Sequence, residues 1–217
     1  MSEFWANLAW WEVALISIVL NVGLTVTAAM LWTVLSQTRR RPQREQWLPT
    51  VSTTLINALV AVPAWYLWQR GVIELASPSW RIPFEFLALA LAMDTFLYWT
   101  HRTAHHRWFY PLFHKRHHTG DEVMTPLTLF VMHPFEASGF GLAMTAALIV
   151  LPLSVPAVAL FVMLNLAAGT YAHLPVTEPS KSRFSWTRFH QRHHRQVDSN
   201  FGFFLPIWDR LAKTYES

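Results

Sequence analysis

Long apolar stretches separated by short polar segments dominate the first hundred residues of the chain. Because about 20 apolar residues cross a bilayer core as a helix, each stretch predicts a transmembrane helix. The predicted spans cover residues 13–35, 50–68 and 82–99. Pro63 predicts a kink in the second span, since proline removes a backbone donor.

A further apolar stretch covers residues 139–171 and carries Pro152 and Pro156 in its middle. Prolines interrupt a helix, so this stretch predicts two arms of about 16 residues, or about 24 Å each at 1.5 Å per residue. That length is slightly short for a full crossing. We therefore predict a helical hairpin that enters the membrane and returns to the side it came from.

The composition agrees with a membrane protein. The 217 residues are 53% hydrophobic and 14% charged, against about 25% charged residues in soluble domains. The chain has no cysteine, which excludes disulfides and thiolate-ligated metals and leaves nitrogen and oxygen as metal ligands. No repeat or linker divides the chain, so we expect one domain over residues 1–217.

The basic residues flank the apolar segments and do not form the stripe that a nucleic-acid partner requires. Four arginines follow the first span, within residues 39–44, and should stay in the cytosol. The N-terminus is then outside. On this topology Arg70 and Arg81 are outside, and the other 15 of the 17 basic residues are inside.

The histidines carry the strongest chemical signal. On a helix, residues three or four apart share a face, so H-x-x-x-H and H-x-x-H-H spacings present several imidazoles to one place. Nine of the 11 histidines follow this pattern or adjoin it: His101 and His105; His114, His117 and His118; His133; His190, His193 and His194. A lone interfacial histidine such as His106 is typically structural, whereas three clusters with shared-face spacing predict metal ligation.

Imidazole suits zinc, copper, iron and nickel. Eight or more histidines exceed the four ligands of one tetrahedral site, which predicts two metals. A metal transporter would need carboxylates or histidines lining several spans, and the carboxylates within the predicted spans are only Glu85 and Asp94, with Asn57 as a further polar residue. For the clusters to meet, the segment 139–171 must cross the membrane an even number of times, as the hairpin does.

Six sequence blocks resemble the fatty acid hydroxylase/sterol desaturase superfamily. They are DTFLYWTHRTAH (94–105), HKRHHT (114–119), MHPFE (132–136), HQRHH (190–194), NFG (200–202) and WDRLAKTY (208–215). The resemblance covers residues 94–215 as a catalytic region. It implies an all-α integral membrane bundle, here with about three spans plus the hairpin, and a cytosolic histidine-rich metal-binding cap.

The resemblance also implies two iron ions, which zinc can replace in purified protein, and electrons from a separate reductase, ferredoxin or b-type cytochrome. The ligands it implies are His101, His105, His114, His117, His118, His190, His193 and His194, with His173 as the lone histidine that precedes the last cluster. His133 matches a family block either as a ligand or as a loop anchor. Some relatives carry another histidine where Gly169 stands here.

Carboxylates are expected to orient the ligands, because metal-bound histidine usually donates its other N–H. The candidates are Asp94, Glu136, Asp198 and Asp209, and Asn200 is a candidate to orient a bound water. Asp209 alternatively caps a helix, and the segment 200–202 alternatively forms a tight turn. A basic face of Arg107, Lys115, Arg116, Arg188 and Arg192 is a candidate docking site for an acidic electron donor.

The leading hypothesis is an O₂-dependent membrane enzyme that hydroxylates a lipid C–H bond. Desaturation on the same scaffold is the alternative, since both begin with the same hydrogen abstraction. A non-catalytic membrane metal-binding or transport protein is a third class. The sequence predicts a multi-pass protein with its metal site on the cytosolic side.

Overall fold

The computed structural model of the protein describes residues 2–36, 38, 40–115, 117–118, 124–175 and 186–216. Regular structure in these ranges is helical, apart from one isolated bridge between Ala76 and Ser154. The helices are α1 (Ser2–Ala6), α2 (Trp10–Ser36), α3 (Arg44–Leu59), α4 (Ala61–Gln69), α5 (Ile82–Ala104), α6 (Pro134–Val150), α7 (Val155–Ala172), α8 (Trp186–Arg195) and α9 (Ile207–Leu211). A π-helical turn (Tyr110–His114) and a 3₁₀ turn (Thr128–Phe130) lie between α5 and α6. The predicted all-α class is confirmed.

Four helical stretches are long and apolar enough to cross a membrane: Trp10–Ser36, Arg44–Gln69, Ile82–Ala104 and Val155–Ala172. The 17 residues of α6 reach about 26 Å at 1.5 Å per residue, just short of a hydrocarbon core about 30 Å thick. The helices predicted for the three spans and for the two arms of the hairpin are therefore confirmed, and the 18 residues of α7 are long enough for a full crossing, which the sequence did not predict. The second span also begins earlier than predicted, at Arg44.

The second span is interrupted close to the predicted kink. Helix α3 ends at Leu59 and α4 begins at Ala61. Pro63 lacks the N–H that would bond to the carbonyl of Leu59, four residues earlier. The interruption therefore falls one turn before the proline and not at it.

Hydrogen bonds from two tryptophans show which helix ends lie together. The indole N–H of Trp32, near the end of α2, donates to the carbonyl of His173, just after α7, at 2.8 Å. At the opposite end of the bundle, Trp65 of α4 donates to the carbonyl of Trp5 at 3.0 Å. The ends of α2, α5 and α7 and the starts of α3 and α6 thus share one end, here called the histidine end.

The hairpin turn is fastened at the other end of the bundle. Glu85, in the first turn of α5, accepts hydrogen bonds from the backbone N–H of Ser154 at 2.9 Å and from its hydroxyl. The N–H of Ala76 donates to the carbonyl of Leu153 at 3.0 Å. Glu85 therefore satisfies donors at the start of α7, and this role explains one of the two carboxylates within the third span.

The core of the bundle lies between α5, α6 and α7, where Leu89, Met93, Leu153 and Phe161 are buried. Phe204 from the C-terminal segment joins this cluster. Large apolar side chains stay exposed on the outer helix faces, which is the pattern of a surface that contacts lipid. The core therefore joins the C-terminal segment to the membrane helices.

A test of the packing of α6 against the junction between α3 and α4 uses two glycines on α6. A methyl group at Gly141 would lie 2.6 Å from Val60 Cγ1 and 2.8 Å from its Cβ, whereas one at Gly139 meets nothing within 4 Å. Gly141→Ala should lower the stability by about 1–3 kcal/mol through overpacking. Gly139→Ala should raise it by up to about 1 kcal/mol through helix propensity. Thermal unfolding in detergent measures both, and equal stability of the two variants would contradict the packing.

Candidate metal centre

Nine histidines converge at the histidine end in two groups. Within each group, one ring nitrogen from every residue lies within 4.8 Å of the others. The first group is His101, His105, His114, His118 and His193, and the second group is His117, His173, His190 and His194. The groups adjoin each other, since the rings of His118 and His194 have centroids 4.5 Å apart. Each group can hold one metal ion.

Each H-x-x-H-H run is divided between the groups. His114 and His118 enter the first group while His117, between them, enters the second. In the later run the division is reversed. His190 and His194 enter the second group and His193 enters the first. The spacing predicted that each run directs its imidazoles to one place, whereas the structure divides each run between the two groups.

Helix geometry accounts for this division in the later run, which lies in α8. At 100° per residue, positions i and i+4 differ by about 40°, and i+3 lies about 60° to the other side of i. His190 and His194 therefore face one group, and His193 faces the other. The earlier run reaches both groups as well, although it follows the π-helical turn and does not lie in an α-helix.

The other candidate ligands come from the ends of membrane helices. His101 and His105 are an i, i+4 pair at the end of α5, and His173 caps the end of α7. The matching position one turn before His173 is Gly169. A side chain there would meet Leu129, whose Cδ1 lies 2.9 Å from the position of a Cβ. The second group therefore has four histidines where the first has five.

The ring nitrogens are spaced like ligands of a common ion. The Nε2 atoms of His101 and His118 lie 3.0 and 3.1 Å from Nε2 of His114. In the second group, Nε2 of His190 lies 3.1 Å from that of His173 and 2.8 Å from that of His194. Two imidazoles bound at right angles at about 2.1 Å have nitrogens about 3.0 Å apart.

Hydrogen bonds at Nδ1 fix the tautomer of these rings, so that Nε2 carries the lone pair whenever the ring is neutral. A carbonyl or carboxylate oxygen only accepts, so the Nδ1 atom facing it must donate. The partners are the Phe201 carbonyl for His101 (2.9 Å), Glu136 for His114, the Val131 carbonyl for His117 (3.2 Å), the Gly169 carbonyl for His173 (2.7 Å) and the Ser199 carbonyl for His193 (2.7 Å). Neutral His101 and His114 therefore point lone pairs at each other, and a cation between them satisfies both. The donor set fits a metal.

Burial favours the neutral form of the imidazoles whose pKa values it lowers. Desolvation, followed by repulsion from neighbouring histidines, lowers the pKa of His105 to about 2. Desolvation likewise lowers the pKa of His173 to about 3. The pKa values of the other ligand candidates outside the spans are lowered for the same first reason: His114, His118, His190, His193 and His194. Neutral imidazole is the form that binds a metal.

Buried ring nitrogens of two histidines also indicate a metal site. Within the part of the chain that the structure describes, neither ring nitrogen of His105 has a hydrogen-bond partner, and Nε2 of His193 has none. An unsatisfied buried polar group costs about 1–3 kcal/mol. A metal ion would satisfy His193 and one nitrogen of His105.

His133 lies outside both groups. Its Nδ1 accepts a hydrogen bond from the N–H of Phe135 at 3.3 Å, and the carboxylate of Glu136 accepts from the N–H of His133 at 3.0 Å. This reciprocal arrangement caps α6. Of its two predicted roles, the structure places His133 in the position of the loop anchor.

Glu136 joins this helix cap to the metal groups. It accepts from the N–H of His133 with Oε2 and from Nδ1 of His114 with Oε1. Glu136 therefore fixes the proton of His114 on Nδ1 and the orientation of its ring, as expected for a carboxylate behind a ligand.

Asp94 and Asp209 act on the C-terminal segment and do not contact a histidine. Asp94 Oδ1 accepts from the backbone N–H groups of Phe204 (2.9 Å) and Leu205 (3.3 Å). Asp209 accepts from the N–H groups of Phe201 (2.8 Å) and Gly202 (2.7 Å). Burial raises the pKa of Asp209. Both carboxylates hold the segment whose Phe201 carbonyl orients His101.

Asn200 braces the end of the chain. Its amide oxygen accepts from the N–H of Glu216 at 2.8 Å, and its amide nitrogen donates to the carbonyl of Glu216 at 3.1 Å. Asn200 therefore lies among tail contacts and not at a ring nitrogen. The side chain of Asp198 is exposed. A glycine is needed at position 202, since a Cβ there would lie 2.7 Å from Asp209 Oδ2 and from the Leu205 carbonyl.

Sequence reasoning missed the contacts made by backbone carbonyls and by the first helices. The Val131 and Ser199 carbonyls orient ligands, and any residue type provides a carbonyl. Trp32 contacts the backbone of a ligand residue, and a tryptophan in a membrane helix gives no signal of that kind.

The fold and the site define a class: a helical membrane protein with adjoining histidine-rich metal-binding groups at one end of its bundle. The model of the family described as fatty acid hydroxylase matches residues 86–214, more than half of the chain. The chain belongs to the fatty acid hydroxylase family.

Curated relatives include sterol desaturases, lathosterol oxidases and an aldehyde decarbonylase. A Delta(7)-sterol 5(6)-desaturase of Leptosphaeria maculans is 30% identical over 173 residues, which are 74% of this chain and 46% of the relative. Human lathosterol oxidase is 25% identical over 185 residues, 79% of this chain and 58% of the relative. A very-long-chain aldehyde decarbonylase of Oryza sativa subsp. japonica is 27% identical over 158 residues, 64% of this chain and 25% of the relative.

The chain spans about half the length of the first two relatives. No solved structure matches the chain at a significant level.

The two groups predict the metal content of variants. Purified protein should bind two divalent ions per chain. The double variant His190→Ala/His194→Ala removes the i, i+4 pair of the second group and should retain one ion. His133→Ala and His106→Ala are the matched controls and should retain two. Elemental analysis of folded, monodisperse protein gives the stoichiometry. Fewer than two ions in the unmodified chain, or one ion in His133→Ala, would contradict the assignment.

Proposed function

We propose that this chain is a membrane oxidoreductase that uses O₂ and external electrons to hydroxylate a C–H bond of a lipid, with two iron ions held by the two histidine groups. The observation that carries the proposal is the position of two adjoining all-histidine groups at the end of an apolar helical bundle. Its nine candidate ligands are His101, His105, His114, His117, His118, His173, His190, His193 and His194. Zinc can replace iron in purified protein, because imidazole suits both metals.

The iron pair would supply the redox chemistry with O₂ that removes hydrogen from an unactivated C–H bond, which no side chain achieves unaided. The protein chain orients the rings of the candidate ligands. Five Nδ1 hydrogen bonds fix the rings and keep Nε2 available for the metals. Burial of residues such as His193, which is 0% exposed, excludes water from the ligands.

Exposed apolar side chains near the ligands support a lipid substrate. Leu112 lies in the same short π-helical turn as His114 and is 65% exposed, and Phe135, next to Glu136, is 68% exposed. Apolar surface of this kind is typical of a membrane contact. A substrate dissolved in the bilayer can therefore approach the site along an apolar surface.

Desaturation of a lipid or sterol is the second candidate reaction. It is favoured by the relatives, which include Delta(7)-sterol 5(6)-desaturases and lathosterol oxidases. Both reactions begin with the removal of one hydrogen, so the same ligands serve either. Analysis of the lipid product separates them, because hydroxylation adds an oxygen atom and desaturation removes two hydrogens.

We propose that the electrons come from a separate reductase, ferredoxin or b-type cytochrome. Arg107, Lys115 and Arg192 are exposed at the histidine end, and Arg188 is half-buried in α8 beside Arg192. Arg116 lies outside the described residues. This basic surface suits an acidic donor, since complementary charge accelerates encounter.

The activity prediction uses one ligand from each group. His117→Ala and His193→Ala should each lower turnover by more than about 100-fold, and the double variant should be no worse than either, because residues that act as a unit are non-additive. His106→Ala should be nearly silent. O₂-dependent lipid oxidation is measured in membranes supplied with a reductase, at matched protein levels. Substantial activity in either single ligand variant would contradict the proposal.

We propose that the histidine end faces the cytosol, as the distribution of basic residues favours. Cysteine labelling tests this orientation directly in a chain that has no native cysteine. Ser77→Cys lies at the opposite end and should react with an impermeant reagent from outside intact cells. Glu216→Cys should react only after permeabilisation. The reverse pattern would place the metal site outside.

A further inference from the structure

The first two membrane helices reach the metal centre from outside the part of the chain that matches the family model. That part begins at residue 86, whereas α2 and α3 end at Ser36 and Leu59. Trp32 of α2 is 1% exposed and donates its indole N–H to the carbonyl of His173 at 2.8 Å. This hydrogen bond holds the backbone of a second-group histidine.

A second contact comes from Gln46 in α3. Its amide oxygen accepts from the hydroxyl of Thr125 at 2.7 Å, and its amide nitrogen donates to the hydroxyl of Thr128 at 3.4 Å. The Thr128 hydroxyl also accepts from the N–H of Thr125 at 2.9 Å. The four polar groups fasten the segment that leads to Val131, whose carbonyl accepts from Nδ1 of His117 at 3.2 Å. His117 also belongs to the second group.

The groups that accept hydrogen bonds from the first group's Nδ1 atoms come from a different part of the chain. They are the Phe201 carbonyl, Glu136 and the Ser199 carbonyl. All three lie within residues 86–214. The second group also has four histidines against five in the first, so the loss of one well-oriented ring removes a larger share of its ligands.

We propose that Trp32 and Gln46 are positioning residues for the second metal, so that tight binding at the second group, and not at the first, depends on the two N-terminal helices. This inference rests on the two-metal site of the proposed function. It gives the N-terminal helices a role beyond anchoring in the membrane. It also makes the two metals unequal, with the second one held in part by a segment outside the matched family region.

Trp32→Phe removes the indole N–H and keeps most of the buried ring, so it isolates the hydrogen bond. Loss of a contact behind a ligand typically costs about 10–100-fold in metal affinity. Trp32 acts through the backbone of His173 and not through its ring, so we expect about tenfold. Gln46→Met keeps the length of the side chain and removes its polar groups, and it tests the same idea through His117.

The experiment measures Co²⁺ affinity by chelator competition on the full chain in detergent, in two backgrounds. His105→Ala/His193→Ala impairs the first group and leaves the second, and His190→Ala/His194→Ala does the opposite. Trp32→Phe and Gln46→Met should each weaken Co²⁺ binding about tenfold in the first background and leave it unchanged in the second. Trp65→Phe is the matched control, since Trp65 donates to a backbone carbonyl at the opposite end of the bundle.

The outcomes separate the two proposals. Two ions in the unmodified chain with unchanged second-group affinity in both Trp32→Phe and Gln46→Met would overturn this inference and leave the proposed function intact. Equal weakening in both backgrounds would also overturn it, because that is the signature of a general loss of packing. Fewer than two ions in the unmodified chain would overturn the two-metal site and this inference with it.

Discussion

Nine imidazoles gathered around two points are the constraint on which the rest of the structure depends. Nδ1 hydrogen bonds fix the proton on the outer nitrogen of five rings, so their Nε2 lone pairs face inward. Lone pairs about 3 Å apart repel each other unless a cation lies between them. Burial strengthens this requirement, because water cannot satisfy a nitrogen such as His193 Nε2. A bound metal ion therefore explains this arrangement of the rings.

The fold meets this constraint by bringing distant segments to one end of the bundle. The α6–α7 hairpin returns the chain to the side where it started, so His114 before it and His190 after it can meet. Asp94 and Asp209 then hold the C-terminal segment against the bundle, and that segment supplies the carbonyl that orients His101. Glu85, Asp94 and Asp209 thus act mostly through the backbone, whereas Glu136 accepts a hydrogen bond from the ring of His114.

Sequence reasoning predicted the elements with strong periodic signals and missed those that depend on tertiary contacts. Span lengths and the proline positions were enough for the helices and the hairpin, because hydrophobic length is set by the bilayer. The i, i+4 spacing identified histidines that share a group, but the division of each run between the two groups depends on how the two runs lie against each other in the fold. His133 carries the same residue type as the ligands, and only its position at the start of α6 separates it from them. Contacts from Trp32 or from the Val131 carbonyl leave no pattern along the chain.

X-ray absorption spectroscopy of the metal-loaded chain tests the central claim most directly, because it counts imidazoles around the metal without an assay of activity. The groups contain five and four histidines, so the account predicts a first shell dominated by nitrogen, with between four and five imidazoles per metal on average and the multiple scattering that imidazole rings give. Loss of the pair His190 and His194 should lower the metal content and leave an imidazole-rich shell around the remaining ion. A shell with no more than one imidazole per metal, or one dominated by carboxylate oxygen, would contradict the account.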